Sequence, residues 1–172
     1  NRIIEYADSG SKTERNKAIR TLKTINSLNV AYAKEYGCTI KKIRAALKKE
    51  KIFIVNEKEV TEKQSAFVRD YYQSQLSGYI SPIWFSGIKS FSSSADDVIH
   101  LIVRLQKFNE VKRTSVRSYA LIELPVGEMG RFVMLPKDGD KVCIMYLDDI
   151  IRLCLPYIFQ GMEYSSYEAY SF

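Results

Sequence analysis

The spacing of the apolar residues in this 172-residue chain first changes at Lys51, and that change constrains the fold more than any other feature. Before it, Ile19, Leu22, Ile25, Leu28, Tyr32 and Tyr36 recur at intervals of three and four, lining one face of a helix with about 3.6 residues per turn. Thr13 is placed to cap the start of this helix, and Gly37 to supply the left-handed residue that ends it. A second helix is expected over residues 39–49, with Ile40, Ile43 and Leu47 inward and Lys41, Lys42, Lys48 and Lys49 outward. Two helices joined at a glycine predict a helical hairpin. After Lys51 the run IFIV (Ile52–Val55) is short, apolar and β-branched, which reads as a strand or an extended linker. A domain boundary is therefore placed near Glu50, dividing residues 1–50 from residues 51–172.

Thr61 and Gln64 have the spacing of a capping box, so a helix is expected to start there. Phe67, Val68, Tyr71, Tyr72, Leu76 and Tyr79 continue it as an apolar and aromatic stripe towards Pro82, in helical phase throughout. The serine-rich stretch over residues 86–97 reads as a loop. Four strand-like runs follow, VIHLIVRLQ, RSYALIEL, RFVML and KVCIMYL, separated by turn-forming residues such as Pro136, Asp138 and Gly139. Asp148 is placed to cap a last amphipathic helix, DIIRLCLPYIF, which Pro156 should end early or kink. Strands after a block of helices, without βαβ alternation, predict an α+β fold in which a helical hairpin precedes a mixed or antiparallel sheet packed with helices.

Charge is distributed as unevenly as periodicity. Residues 1–50 hold 12 lysines and arginines against 5 aspartates and glutamates, and residues 51–172 hold 14 against 15. A field of that sign favours a polyanion such as polyphosphate, nucleotide, nucleic acid or an anionic membrane surface, although lysine-rich helix faces also serve solubility alone. No stretch approaches the run of about 20 apolar residues that a spanning helix needs, and the first residues lack the core of a signal peptide, so a cytoplasmic protein is expected. Cys38, Cys143 and Cys154 form no Cys-x-x-Cys pair, which predicts reduced thiols and no disulfide framework. The chain starts without a methionine, and both ends read as cuts in a longer polypeptide.

The catalytic inventory is nearly empty. Neither a Gly-x-x-x-x-Gly-Lys loop nor a Gly-x-Gly-x-x-Gly fingerprint occurs. His100 sits in a strand pattern beside Asp96 and Asp97 and reads as a structural or surface residue. Asp148 and Asp149 are paired carboxylates, better explained by the dipole of a helix start than by catalysis. Arg69, Arg104, Arg113, Arg117, Arg131 and Arg152 are scattered, each able to meet a phosphate or a surface carboxylate. No metal ligand set is assigned.

Three blocks carry a resemblance. IFIVNEKEVTEKQSAFVRDYYQSQLSGYISPIW over residues 52–84, SYALIELPVGEMGRFVMLP over residues 118–136, and LDDIIRLCLPYIFQGM with the later YEAYSF resemble, in order and spacing, segments of the bacterial polyphosphate kinases. Gly130 stands where that family often has proline, and Pro156 where a polar residue is common. The resemblance implies that residues 1–50 are the last helices of a helical N-terminal domain and that residues 51–172 are a head, or middle, domain incomplete at its C-terminal end. For the full-length enzyme it implies reversible transfer of the terminal phosphate of ATP to inorganic polyphosphate, with Mg²⁺ and a phosphohistidine in later domains. No catalytic residue is carried over to this segment, whose expected roles are scaffold, subunit association and guidance of a polyanion.

Arg131, Lys41, Lys42, Lys48 and Lys49 are the polyanion-contact candidates. Phe67, Tyr71, Tyr72 and Tyr79 are the candidates for the interface of a homo-oligomer, a dimer or higher. No nucleic-acid partner is expected, and peripheral association with the inner membrane is compatible with the sequence. The alternative reading is a non-catalytic module that docks its basic hairpin on nucleic acid or an anionic membrane.

Overall fold

A computed structural model describes residues 11–87, 98–109 and 114–171. The chain divides into two compact units, Asn1–Glu50 and Lys51–Phe172.

The described part of the first unit is one continuous helix, α1 (Lys12–Lys49), in place of the expected hairpin. Its cap is Ser11 rather than Thr13: the Ser11 hydroxyl accepts from the Glu14 N–H, and the Glu14 carboxylate accepts from the Ser11 N–H at 3.0 Å. These hydrogen bonds hold the Glu14 carboxyl below its ordinary pKa, the side-chain bond to Ser11 acting most strongly. Gly37 does not end the helix. A glycine inside a helix costs only about 1 kcal/mol relative to alanine, too little to break a run with good helix-forming residues on both sides. The helix ends at Glu50, whose N–H returns to the carbonyls of Leu47 and Lys48, and Lys48 and Lys49 place positive charge on its last turn.

The second unit is α+β, as expected, but its strands belong to two sheets. Strand β1 (Ile52–Val55) runs parallel to β6 (Val142–Tyr146), and β5 (Phe132–Met134) pairs antiparallel on the other side of β6. The second sheet is antiparallel in the order β2 (Ile83–Trp84), β4 (Thr114–Glu123), β3 (His100–Asn109), β7 (Ser166–Ser171). Each of the four predicted strand runs overlaps one of β3 to β6, with β3 running three residues past its run and β4 starting three residues before its own. The predicted loop over residues 86–97 lies mostly outside the described residues.

Helix α2 (Glu62–Tyr71) begins with the expected capping box, Thr61 accepting from the Gln64 N–H and Gln64 accepting from the Thr61 N–H. Its stripe does not continue as a plain α-helix. Residues Tyr72–Leu76 form a π-helical turn, closed by a 2.8 Å bond from the Ser77 N–H to the Tyr72 carbonyl. A short turn, α3 (Val126–Met129), leads into β5, and α4 (Leu147–Ile158) follows β6 directly. Asp148 is not the cap of α4: the cap is Tyr146, two residues earlier, the helix starts at Leu147, and Asp148 lies in its first turn. Pro156 is tolerated inside α4, which runs two residues beyond it before Phe159 caps it.

Leu147, Ile150, Ile151, Cys154 and Leu155 of α4 are buried together with Val68, Leu76, Leu101, Val103, Leu105, Ile122 and Met145. Helix α4 is thus the centre of the core, packed against α2 and the inward faces of both sheets. Burial pushes the Cys154 thiol up to about 12, leaving it protonated and inert. Gly130 has φ +75°, in the left-handed region. Proline is fixed near −65°, so it could not adopt the conformation that Gly130 holds here.

Candidate functional site

Arg131, the polyanion candidate of this unit, enters from the turn before β5 and meets the first turn of α4. One of its amino groups lies 3.4 Å from Asp148 Oδ1, and its guanidinium sits 5.5 Å from the ring centroid of Tyr146. Asp148 also accepts from Arg152 at 3.1 Å and from the Ser171 hydroxyl at 2.9 Å, through Oδ2. Arg152 reaches Asp149 at 2.5 Å, donates to the Ala169 carbonyl at 3.2 Å and hydrogen-bonds the Ser171 hydroxyl. Two arginines, two carboxylates and the end of β7 therefore form one network.

The sequence positions explain half of it. Asp148 and Arg152 are four residues apart on α4, which places them on one helix face; the contact to Arg131 joins residues distant in sequence and is made where the turn before β5 meets the start of α4. The Asp148 side chain is only 10% exposed, which makes the pairing consequential, since a lone charge at such a site is costly. Burial raises the Asp149 carboxyl pKa, and the neighbouring Arg152 guanidinium opposes that rise. Arg131 Nη1 and Asp148 Oδ1 are buried without a hydrogen-bond partner, so the ion pair between them leaves some capacity unused.

The other candidates fall in different settings. Lys41, Lys42, Lys48 and Lys49 are all exposed on α1, away from its apolar stripe. Tyr72 is 9% exposed and belongs to the core of its own chain, while Phe67 and Tyr71 are half-buried against that core with their rings 6.1 Å apart. Tyr79, at 54% exposure, is the member of that group turned to solvent, at the rim of a cleft of about 540 Å³ that Ile83, Glu123 and Glu128 also line. His100 is buried at the start of β3, with Nε2 3.9 Å from Glu123 Oε2. Arg113 lies outside the described residues.

No group of three or more histidine, cysteine, aspartate or glutamate side chains placed to hold a metal occurs among the described residues. The paired carboxylates at Asp148 and Asp149 are of a donor type that Mg²⁺ takes, but both are engaged by guanidinium groups and are not free to hold it. No described helix is long and apolar enough to cross a membrane. The geometry is that of an α+β module fixed by an internal charge network.

A family model described as the polyphosphate kinase middle domain matches residues 63–172. The polyphosphate kinase of Vibrio cholerae is 34% identical over 127 residues, covering 72% of this chain and 17% of the relative. That of Escherichia coli K12 is 28% identical over 174 residues, covering 99% of this chain and 24% of the relative. The crystal structure of polyphosphate kinase from Porphyromonas gingivalis shares the fold, with a TM-score of 0.67 at 22% identity over 96% of this chain and 26% of that one. The chain belongs to the polyphosphate kinase family. It spans between 17% and 24% of the length of these curated relatives.

Proposed function

We propose that the whole protein transfers the terminal phosphate of ATP reversibly to inorganic polyphosphate, and that these 172 residues are a non-catalytic part of it. The observation that carries this reading is the match of the middle-domain model to almost all of the second unit. The chemistry, including Mg²⁺ and a phosphorylated histidine, is assigned to parts of the polypeptide outside this segment. Residues 1–50 belong to a helical N-terminal domain and residues 51–172 to the middle domain. The protein is cytoplasmic and assembles as a homo-oligomer. Incorporation of labelled ATP phosphate into an acid-insoluble polymer by the full-length protein, dependent on Mg²⁺, tests the activity; no incorporation, with the protein folded, rejects it.

Within that enzyme the exposed lysines of α1 guide the polyanion. Lys41 and Lys48 are seven residues apart, as are Lys42 and Lys49, so each pair repeats after about two helical turns on the polar side. Arg131, paired with Asp148 yet 31% exposed at its side chain, is the candidate contact of the second unit. Alanine at the four lysines should raise the KM for polyphosphate most at low salt, where charges are least screened. A KM unchanged at every ionic strength removes the guidance role without touching the kinase assignment.

A further inference from the structure

The cleft of about 540 Å³ beside Tyr79 lies where the residues after the π turn, the start of β2, the approach to β3 and the end of β4 meet the turn α3. Backbone hydrogen bonds fix that junction. The Leu124 N–H donates to the Ile99 carbonyl at 2.9 Å, the Val126 N–H to the Leu124 carbonyl at 2.8 Å, and the Met129 N–H to the Pro125 carbonyl at 2.9 Å. The walls are apolar, formed by Ile83, Val98, Ile99, Pro125 and Val126, and the charged residues among them are Glu123 and Glu128. Among the described residues no lysine or arginine lines the cleft or pairs with either carboxylate; Glu123 has His100, with Nε2 3.9 Å away. A second cleft, of about 410 Å³ at Lys51 and Lys141, shows the contrast: there Asp140 and Asp138 match both ammonium groups, and no charge is left over.

We propose that the cleft beside Tyr79 binds a small aliphatic polyamine, its hydrocarbon chain against the apolar walls and its ammonium groups on Glu123, Glu128 and the Tyr79 ring. Small-molecule sites are concave and mostly apolar, about 300–1,000 Å³ in volume, with a few polar groups that fix orientation, and this cleft has those features. The sign of its charge selects the ligand. Polyphosphate and nucleotides are repelled by two carboxylates without cationic partners. A hard metal ion is a poor match as well, because Mg²⁺ and Ca²⁺ take about six oxygen ligands and gain nothing from an apolar wall. An alkylammonium uses every feature at once: its methylenes leave water against Ile83 and Val126, its charge meets a carboxylate, and the exposed Tyr79 ring offers a cation–π contact. The site stands apart from the phosphotransfer reading, since none of its residues is assigned to polyphosphate.

Isothermal titration calorimetry of the full-length protein, freed of polyphosphate, with putrescine and spermidine tests the proposal. One saturable site per chain is expected, with an affinity that falls about tenfold or more in the double variant Glu123→Gln, Glu128→Gln. The uncharged diol with the carbon chain of putrescine should give no binding. Each glutamine variant is also measured singly, so that a double variant that fails to fold leaves the test intact. Absence of saturable binding at millimolar amine overturns the proposal. So does an affinity unchanged by the glutamine substitutions, which places the amine elsewhere on the protein, or displacement by an equal concentration of Mg²⁺, which reduces the cleft to a general counterion site. The readout is heat of amine binding and not phosphate transfer, so failure of the kinase reading and failure of this one are told apart.

Discussion

Helix α1 and the unit that follows it are written in the same apolar alphabet with opposite outcomes. In α1 the stripe of Leu22, Ile25, Tyr32, Tyr36, Ile40, Ile43 and Leu47 keeps helical phase for its whole length, yet Tyr32 and Tyr36 are 64% and 69% exposed and Ala18 is the one buried residue among those described. In α4 five residues of a twelve-residue helix are buried hydrophobics, meeting α2 and two sheets. Periodicity fixes which face of a helix is apolar; whether that face contributes to stability depends on what covers it. The difference sorts the effects of substitution by region.

The largest effect is expected at Asp148. Asp148→Ala leaves Arg131 and Arg152 without their shared carboxylate in a site that is mostly buried, a loss of about 3–5 kcal/mol. Urea unfolding measures it, and an equal loss from Lys42→Ala on α1 would abolish the contrast between the two regions. The thiols draw the same contrast by rate. Cys38 is exposed, whereas Cys143 and Cys154 are buried, so Cys38 should be alkylated about a thousandfold faster in the native chain, where the buried pair reacts only through opening. Comparable rates at all three would mean that the core of the second unit is not closed.

What was legible in the sequence follows the range of the interactions. The Thr61–Gln64 box was readable because both bonds lie within one turn, and the buried alternation of Leu101, Val103 and Leu105 because one strand shows it. Strand β7 was not. Its sequence SYEAYS alternates only weakly, and it is held by pairing with β3, Leu101 opposite Ser171 and Leu105 opposite Tyr167. The same holds for the network at Arg131: its Asp148–Arg152 spacing is local to α4, but Arg131 arrives from the turn before β5 and Ser171 from β7. The π turn over Tyr72–Leu76 changes the hydrogen-bond step of the helix without changing its apolar pattern, so periodicity could not report it.

Gly130 and Gly37 separate glycines that the backbone requires from glycines it merely tolerates. Gly130, at φ +75°, sits where a Cβ is strained, and Gly130→Ala should cost about 1–2 kcal/mol, read as a lower unfolding midpoint of the second unit. An unchanged midpoint would show that the turn before β5 relaxes freely.

The smallest expected effect has the most informative sign. Gly37 lies inside α1 with nothing within 4 Å of the place a Cβ would occupy, and its φ is not among the positive ones. Gly37→Ala therefore removes backbone entropy without a clash, and should strengthen the helix by up to about 1 kcal/mol. Had Gly37 been the left-handed stop between two helices, the same change would weaken the structure by a comparable amount. Far-ultraviolet circular dichroism through a thermal melt distinguishes the two: helicity that rises or persists to higher temperature fits one long helix, and helicity that falls restores the hairpin. A hairpin would fold the apolar stripe back on itself, so the sign also decides whether α1 presents that stripe to another part of the protein.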